Sequence, residues 1–570
     1  MTAKGPGSQP LHAVPVLGGD DHKRTKTATQ GDLWGGARTW LIGAWALLAG
    51  LPMLVAALVF AIKQPVLLID GDGASNEFAL INAGHFAQLV GNYSRYGWFH
   101  PGPAWFYALD LVYQPLGAQT WAFIVAYLVL NAVTAGLIVV VAWRSSRSGF
   151  VAMLTCGLLA CYVNAIGAME FRTPWPPYSV ILPMPLFLLL AGLGTAGSNA
   201  AVVGAMLVGS FEIQADIGTT PTVGLVGIAM LVARLLGDRL ARSRPRFANL
   251  APGSRGRLSL PLGILALIAM WLPTMVNQFT VEPGNLTSLW TFFTLPHPKH
   301  HLLEAVSAAG RLLTVFPFGP MPHLFDTGIT SVSTGYIAAY MAFVVACVGL
   351  VVAGIFASDR FAQSLGIVVA VAAGGLVISG REIVGSFYPY LVLGSTTLPL
   401  VLAIGWLSLA AKLQPWSRLR WRPLLPQIAR PVVAISIVIL IAAQVPAFLT
   451  LPPIGPGESD TPAAWRMTQG ALAGEPKGAI LLEIDRLELW PLAAGLALQL
   501  DKSGRPTHVA KSWTLIFGSQ ALATGEEPSV LTITPPGEVQ SFERMHAGAR
   551  LLGVTSTAAI FVRKRQDGAG

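Results

Sequence analysis

Residues 67–77 read Leu-Leu-Ile-Asp-Gly-Asp-Gly-Ala-Ser-Asn-Glu and follow an apolar run that extends from 39 to 62. Three carboxylates, Asp70, Asp72 and Glu77, therefore stand within eight residues, just past a segment long enough to cross a bilayer. A carboxylate where hydrocarbon gives way to water is partly desolvated, which raises its basicity while an aqueous substrate can still reach it. Asp-Gly-Asp-Gly is also a typical turn sequence, so a solvated turn is an alternative interpretation of this stretch alone.

The composition indicates a membrane protein. Of 570 residues, 53% are hydrophobic and 11% are charged, with a mean hydropathy of +0.59, whereas soluble globular proteins carry about 25% charged residues. The 120 residues from Leu451 onward hold 23 of the 65 charges, and the first 450 residues hold 42. A polytopic α-helical membrane protein with a soluble tail is predicted. A soluble enzyme, a secreted scaffold and a nucleic-acid partner are disfavoured, because the net charge of +9 is spread over loops.

About eleven apolar runs have the length of a transmembrane helix. Their approximate bounds are 39–62, 118–142, 149–168, 178–196, 199–217, 219–236, 259–276, 333–356, 362–380, 389–411 and 431–450. Pro183, Pro185 and Pro221 interrupt the fourth to sixth runs. The orientation of the chain therefore needs an independent check.

Lys and Arg provide that check, because they accumulate in the short loops on the cytoplasmic side. With the N-terminus inside, the inside segments hold 20 Lys and Arg against 5 acids, while the remaining segments before residue 451 hold 6 against 11. We therefore expect the N-terminus inside and the C-terminal tail outside. The richness in Ala, Gly and Arg is typical of a GC-rich bacterial genome, so the expected location is a bacterial plasma membrane.

This topology predicts three regions and two long outer loops. They are a disordered cytoplasmic tail at 1–38, a transmembrane domain at 39–450 with outer loops 63–117 and 277–332, and an extracytoplasmic α/β domain at 451–570. In the last region, strands are predicted at 478–484 and near 506–510, 530–534 and 558–562, and a helix at 489–500. The region has no phosphate-loop or dinucleotide fingerprint, so we interpret it as a domain that packs on the outer mouth or holds an acceptor.

The first outer loop continues with a strongly aromatic stretch. It contains Tyr93, Arg95 and His100, and then Trp105 at helical spacing with further apolar residues, which predicts a helix in the membrane interface. Sugars stack on aromatic faces, and phosphates pair with arginine. This stretch beside an acidic cluster favours a lipid phosphate and a sugar over an ion path.

The order of these features resembles the GT-C class of membrane glycosyltransferases. An acidic motif directly after the first span, a juxtamembrane helix, and His100-Pro-Gly-Pro-Ala-Trp105 at the entry to the next helix carry the resemblance, closely over residues 65–115. The class includes protein O-mannosyltransferases, aminoarabinose transferases and bacterial arabinofuranosyltransferases. Its members are similar in having catalytic acids in the first outer loop and often a soluble outer C-terminal domain.

The resemblance implies a function and roles for the acids. The chain would transfer a monosaccharide, arabinofuranose or mannose, from a polyprenyl-phosphate donor to a cell-envelope glycan or glycolipid on the outer face, with inversion. Asp72 would be the catalytic base, with Asp70 its close competitor, and Glu77 a supporting acid or acceptor ligand. Some members carry adjacent acids where this chain has Asp-Gly-Asp, so the choice between Asp70 and Asp72 stays open.

Further polar residues at the predicted outer face are candidates for substrate binding. With Tyr93, Arg95, His100 and Trp105 of the first loop, the candidates are Glu212, Gln214, Asn277, Gln278 and Arg381. A carboxylate inside an apolar run is costly, so a functional or paired role is expected for Glu212. Arg381 is a candidate for the phosphate, with an interfacial ion pair as the alternative, and Asn277 and Gln278 serve equally well as local helix caps.

The histidines of the second outer loop are weak metal candidates. His297, His300 and His301 have a spacing that a divalent cation can use, but the sequence lacks a second fixed set of ligands, which favours a solvated loop. No cofactor is therefore certain, and a divalent cation stays possible.

Two other functional classes fit part of the pattern. Many spans with Pro and Gly, and an acid within an apolar run, are typical of a transporter or a flippase for lipid-linked sugars. The halves of the chain show no internal repeat, however, and the polar candidates cluster at one face. The other class is a non-catalytic scaffold for envelope assembly.

The predicted topology can be measured with reporter fusions placed after Arg147, His300 and Gly570. We expect green fluorescent protein to fluoresce only after Arg147, and alkaline phosphatase to be active only after His300 and Gly570, because each reporter works on one side of the membrane. Fluorescence at Gly570 would contradict the predicted orientation.

Overall fold

A computed structural model of the chain describes residues 30–243, 259–319, 321–413, 425–450, 460–473 and 477–565. The packing given below concerns residues from Ile42 onward. Most of the predicted tail at 1–38 lies outside the described residues, and the first helix already begins at Gln30.

The described residues form mainly helices, with a small sheet near the C-terminus. The helices before residue 300 are α1 Gln30–Lys63, α2 Gly71–Gly84, α3 Ala104–Tyr113, α4 Thr120–Ser146, α5 Gly149–Ile166, α6 Met169–Arg172, α7 Pro176–Ser179, α8 Pro183–Thr195, α9 Asn199–Ala215, α10 Thr220–Ser243, α11 Ser259–Thr280 and α12 Asn285–Thr294. The later helices are α13 Leu302–Leu313, α14 Val315–Phe318, α15 Thr334–Phe356, α16 Arg360–Glu382, α17 Leu398–Leu413, α18 Leu425–Leu449, α19 Thr461–Leu472, α20 Trp490–Lys502, α21 Thr514–Phe517 and α22 Val539–Met545. The strands are β1 Ile480–Ile484, β2 Thr507–Val509, β3 Ser529–Thr534, β4 Arg550–Val554 and β5 Ala559–Lys564.

Within the described part of the chain, ten apolar segments are long enough to cross a membrane. They are Trp40–Lys63, Thr120–Ser146, Gly149–Ile166, Pro176–Thr195, Ile217–Leu236, Leu260–Thr280, Thr334–Phe356, Arg360–Glu382, Pro389–Leu413 and Ala429–Leu449. Each matches a segment predicted from the sequence, and the remaining prediction, 199–217, corresponds to the shorter apolar helix α9. The predicted fold class, a polytopic helical membrane protein with a small C-terminal α/β domain, is confirmed.

Small residues allow the membrane helices to approach closely. A methyl group added at Gly50 of α1 would lie 2.8 Å from the carbonyl oxygen of Ala132 in α4, and one added at Gly366 of α16 would lie 2.8 Å from that of Cys347 in α15. Most of the segment that contains α8 is buried among other helices, whereas most of α11 is exposed.

The C-terminal domain, residues 461–564, is a five-stranded mixed sheet in the order β2-β1-β3-β5-β4. β1 pairs in parallel with β2 and β3, and β3, β5 and β4 pair antiparallel. Helix α20 connects β1 to β2, as a crossover between parallel strands requires. Four strands and this helix lie where the sequence predicts them. β4 was not predicted, because Gly553 and the register shift between Leu551 and Gly553 interrupt its apolar pattern.

Helix α2 lies between the hydrophobic core of the membrane helices and a hydrophobic core of the C-terminal domain. Its Leu80 and Ala83 belong to the core of the membrane helices, and its Ala74 belongs to the core of the C-terminal domain. The helix that begins at the acidic motif is therefore held from both sides.

The close approach of α1 and α4 generates a stability prediction. Gly50→Ala should lower the apparent melting temperature in detergent, because overpacking a tight contact costs about 1–3 kcal/mol. The matched control is Gly43→Ala in the same helix, where a new methyl group meets no atom within 4 Å. The control should melt at or above the wild-type temperature, and equal melting of the two variants would contradict the packing described here.

Candidate active site

A cavity of about 300 Å³ lies beside the N-terminal end of α2. Its walls come from the first outer loop, the segment before α8, the α9–α10 turn, α12 and the end of α16 with the segment that follows it. Seven of the lining residues are aromatic: Tyr93, Tyr96, Trp98, Trp175, Phe292, Phe293 and Tyr390. The other lining side chains include Asp72, Arg95, His100, Asp216 and Glu382. An aromatic cavity with a few polar groups is the usual form of a small-molecule site.

Asp72 is held by two hydrogen-bond donors at the cavity wall. The Tyr93 hydroxyl donates to its Oδ1, and the indole N–H of Trp175 donates to its Oδ2 at 3.0 Å. The chain reaches this point through Gly71, whose φ of +48° is in the left-handed region that favours glycine. Asp72 thus stands in the first turn of α2, where the helix dipole favours a carboxylate.

The two donors leave Asp72 able to accept further hydrogen bonds. Burial, and then the neighbouring Asp72 carboxylate, raise the pKa of Tyr93, so its hydroxyl stays protonated and remains a donor. Each carboxylate oxygen has two lone pairs and receives one hydrogen bond from these donors. A substrate hydroxyl in the cavity can use a remaining lone pair.

His100 presents a neutral ring with a defined proton position. The backbone N–H of Ile217 donates to its Nδ1 at 3.0 Å, so Nδ1 is unprotonated and the neutral ring carries its proton on Nε2. Burial lowers the pKa of His100 to about 4. At neutral pH this ring is therefore a hydrogen-bond donor through Nε2 and carries no positive charge.

Asp216 is a second carboxyl group in the cavity wall. It lies between α9 and the apolar segment that begins at Ile217, and its Oδ1 accepts a hydrogen bond of 2.9 Å from the Gly218 N–H. The same oxygen lies 4.0 Å from Nδ1 of His100. Burial raises the pKa of Asp216 to about 7. The charge of this wall therefore changes near neutral pH.

Arg95 supplies a permanent positive charge to the cavity. Its guanidinium donates to the Tyr96 hydroxyl at 3.1 Å and lies 5.1 Å and 5.7 Å from the ring centroids of Tyr96 and Tyr388. Tyr388 stacks on Tyr390, which in turn packs against Trp175. A continuous aromatic wall thus runs from the exposed Arg95 to a hydrogen-bond donor of Asp72.

The structure brings four of the sequence candidates to this cavity and leaves the others elsewhere. Asp72, Tyr93, Arg95 and His100 line it. Asp70, the residue before α2, is half-buried and is not among the lining residues that the described part of the chain provides. Trp105 is 2% exposed and packs on Phe106 and Phe123, so it is a core residue.

Glu77 is fully buried and forms an ion pair with Lys502 of the C-terminal domain, and it is not among the described residues that line the cavity. Glu212 is also fully buried, and neither of its carboxyl oxygens has a hydrogen-bond partner among the described residues. Gln214 accepts a hydrogen bond from the Ala104 N–H at 3.2 Å and so holds the start of α3.

The candidates of the second outer loop make local contacts. Asn277 accepts a hydrogen bond from the Asn285 N–H at 3.0 Å, and Gln278 donates to the Thr287 hydroxyl at 2.6 Å. Both amides therefore stabilise the start of α12, whose Phe292 and Phe293 line the cavity. Arg381 is exposed and does not line the cavity among the described residues.

The three histidines of that loop contact two different glutamates. His297 lies 3.4 Å from Glu382, His300 lies 3.4 Å from Glu304, and the His301 N–H donates to Glu304 at the start of α13. Within the ranges that the structure describes, no group of three or more His, Cys, Asp or Glu side chains could hold a metal ion.

The sequence analysis missed Trp175, Phe292 and Phe293. Trp175 lies between α6 and α7, directly before the two prolines that begin α7. An aromatic residue beside two prolines at a helix start was the only local signal in the sequence. Its contact with Asp72 joins residues 103 positions apart, which no local pattern reveals.

Neither a family model nor a curated protein sequence matches this chain. Among solved structures, the crystal structure of ArnT from Cupriavidus metallidurans bound to undecaprenyl phosphate is similar, with a TM-score of 0.51 and 11% identity, over 92% of this chain and 98% of that one. The chain has the fold of ArnT. This likeness in fold agrees with the resemblance to the GT-C class found in the first outer loop. The ArnT-like fold includes the C-terminal domain, since the match covers nearly all of both chains.

The raised pKa of Asp216 can be measured by infrared spectroscopy. The wild-type minus Asp216→Asn difference spectrum should contain a protonated-carboxyl carbonyl band that disappears with a midpoint near pH 7, because burial raises the pKa to about 7. The same titration of Glu382→Gln should keep the band. A midpoint near pH 4 would contradict the burial described for Asp216.

Proposed function

We propose that this protein transfers a monosaccharide from a polyprenyl-phosphate donor to a cell-envelope glycan or glycolipid. The ArnT-like GT-C fold supports a membrane glycosyltransferase that uses a lipid-linked donor. The site would face the outside of a bacterial plasma membrane, as the charge asymmetry of the loops predicts. Arabinofuranose or mannose is the proposed sugar.

The observation that carries the proposal is the environment of Asp72. Its carboxylate faces an aromatic cavity and receives hydrogen bonds from Tyr93 and Trp175. Both donors are neutral groups, and together they orient the carboxylate. A general base must be oriented and must reach a substrate hydroxyl. Asp72 is oriented by two donors and lines the cavity in which a substrate hydroxyl would lie, which supports Asp72 over Asp70 as the base.

The proposed reaction is a single displacement at the anomeric carbon. The acceptor hydroxyl oxygen forms a bond to this carbon while Asp72 takes the hydroxyl proton. The bond between the anomeric carbon and the phosphate oxygen breaks, and its electron pair leaves with the polyprenyl phosphate. Attack from the face opposite the leaving group inverts the anomeric configuration.

Arg95 and His100 are the proposed partners of the leaving phosphate. Phosphate is already a good leaving group, so positive charge and hydrogen-bond donors near it matter more than protonation. Arg95 provides the charge and Nε2 of His100 provides a donor, as the ring is neutral. The aromatic side chains of the cavity would stack on the faces of the sugar.

The first test is sugar transfer in membranes that contain the overproduced protein, with a panel of radiolabelled polyprenyl-phosphate sugars. Asp72→Asn should reduce transfer by about 10²–10⁴-fold, the usual contribution of a general base. Arg95→Gln should also reduce transfer, while Trp175→Phe, which loses one donor to Asp72, should have a smaller effect.

Asp70→Asn is the matched control, since it makes the same change two residues away, and it should retain most of the transfer. Loss of transfer in Asp70→Asn with retention in Asp72→Asn would reverse the two assignments. No transfer with any donor, together with movement of labelled lipid across vesicle membranes, would overturn the proposed function in favour of a flippase.

A further inference from the structure

A buried polar cluster joins α2 to the C-terminal domain. Glu77 is fully buried, and its Oε1 accepts hydrogen bonds from the Lys502 ammonium at 2.5 Å and the Tyr113 hydroxyl at 2.8 Å. Its Oε2 accepts a hydrogen bond of 2.9 Å from the Thr120 hydroxyl, to which Lys502 also donates at 2.8 Å. These partners belong to α20, the end of α3 and the start of α4. The cluster therefore ties three elements to one carboxylate.

Helix α20 of the C-terminal domain also contacts the chain at the start of α2. Trp490 and Pro491, at the start of α20, lie 3.4–3.6 Å from the position of a Cβ added at Gly71. A Cβ added at Gly495 would lie 2.8 Å from the carbonyl oxygen of Ile69. The ring of Trp490 meets that of Tyr93, the donor to Asp72, at a centroid distance of 6.0 Å. Helix α20 thus runs along α2 from Gly71 to Glu77.

The position of Glu77 determines how α2 is rotated. Asp72 and Glu77 are five residues apart, which places them about 140° apart around a helix axis. When Glu77 is held by Lys502 and Thr120 on one side, Asp72 is directed to the other side, toward the cavity. A buried charge that loses its partner must find another or move toward water, so the ion pair holds this rotation strongly.

We propose that Lys502 is a positioning residue for Asp72 and that the C-terminal domain thereby completes the active site. Lys502 holds Glu77, and Glu77 holds the rotation of α2 at which Asp72 meets Tyr93 and Trp175. Glu77 then acts on the reaction through this rotation and does not touch the substrate. The role of Lys502 in transfer rests on the function proposed above, whereas its role in holding α2 does not.

The test compares Lys502→Met, Lys502→Arg and the wild-type full-length protein in detergent or membranes. Lys502→Met should lower kcat for sugar transfer at least tenfold, while the Kd for an unreactive polyprenyl phosphate should change less than twofold, because Arg95 and His100 are untouched. Lys502→Arg keeps the charge and should recover most of kcat. Wild-type kcat in Lys502→Met would overturn the proposal.

Amide hydrogen exchange provides a second readout that needs no activity. Lys502→Met should increase exchange at least tenfold in residues 71–84 and leave the membrane-spanning helices unchanged. The matched control is Arg486→Met, which breaks an exposed ion pair with Glu538 in the same domain and should change neither kcat nor exchange in 71–84. Unchanged exchange of 71–84 in Lys502→Met would also overturn the proposal.

A double variant in which both residues of the ion pair are neutral provides the test if Lys502→Met does not fold. Glu77→Gln combined with Lys502→Met removes both charges, leaves no buried charge unpaired, and should fold with the same loss of kcat. Wild-type kcat in this double variant would overturn the proposal. If the wild type transfers no sugar, the proposed function fails, while the exchange measurement still decides whether Lys502 holds α2.

Discussion

The packing of α2 between two hydrophobic cores is the constraint on which the rest of the site depends. One face of the helix packs with the membrane helices and another packs with the C-terminal domain. The Glu77 carboxylate is buried in this sandwich with Lys502 as its counter-ion. A buried ion pair contributes little net stability, but breaking it is costly, so it specifies an arrangement more than it stabilises the fold. The arrangement specified here directs Asp72 toward the cavity.

The cavity combines groups whose charges are set by burial and hydrogen bonding. His100 is neutral because burial lowers its pKa and the Ile217 N–H occupies its Nδ1. Arg95 remains charged at the exposed edge, against tyrosine rings. The positive charge therefore lies at the exposed edge, while Asp72, the proposed base, lies at the aromatic wall beside Trp175. This separation suits a substrate that has an anionic end and a neutral sugar.

Much of the fold and part of the site follow from local sequence patterns. The sequence predicts the membrane spans because a helix in lipid requires a long apolar run. It predicts four strands of the C-terminal domain because buried strands are short apolar runs separated by polar turns. Asp72, Tyr93, Arg95 and His100, which line the cavity, are candidates from the sequence because a single loop contains them all. Trp105 and Gln214 were assigned to substrate binding, but Trp105 lies in the core and Gln214 holds the start of α3. Residue type alone does not distinguish a packed tryptophan from one at a binding surface.

The sequence by itself thus determined that the chain is a polytopic membrane protein with a small C-terminal α/β domain and an acidic motif after its first span. These properties depend on composition and on spacing along the chain. Only the tertiary structure decided that Asp72 meets Trp175, that Glu77 pairs with Lys502 across 425 positions, and that Asp70 is not among the described residues that line the cavity. Such contacts join segments that are distant along the chain. The same sequence pattern is compatible with other packing arrangements, so the pattern does not reveal which of these contacts form.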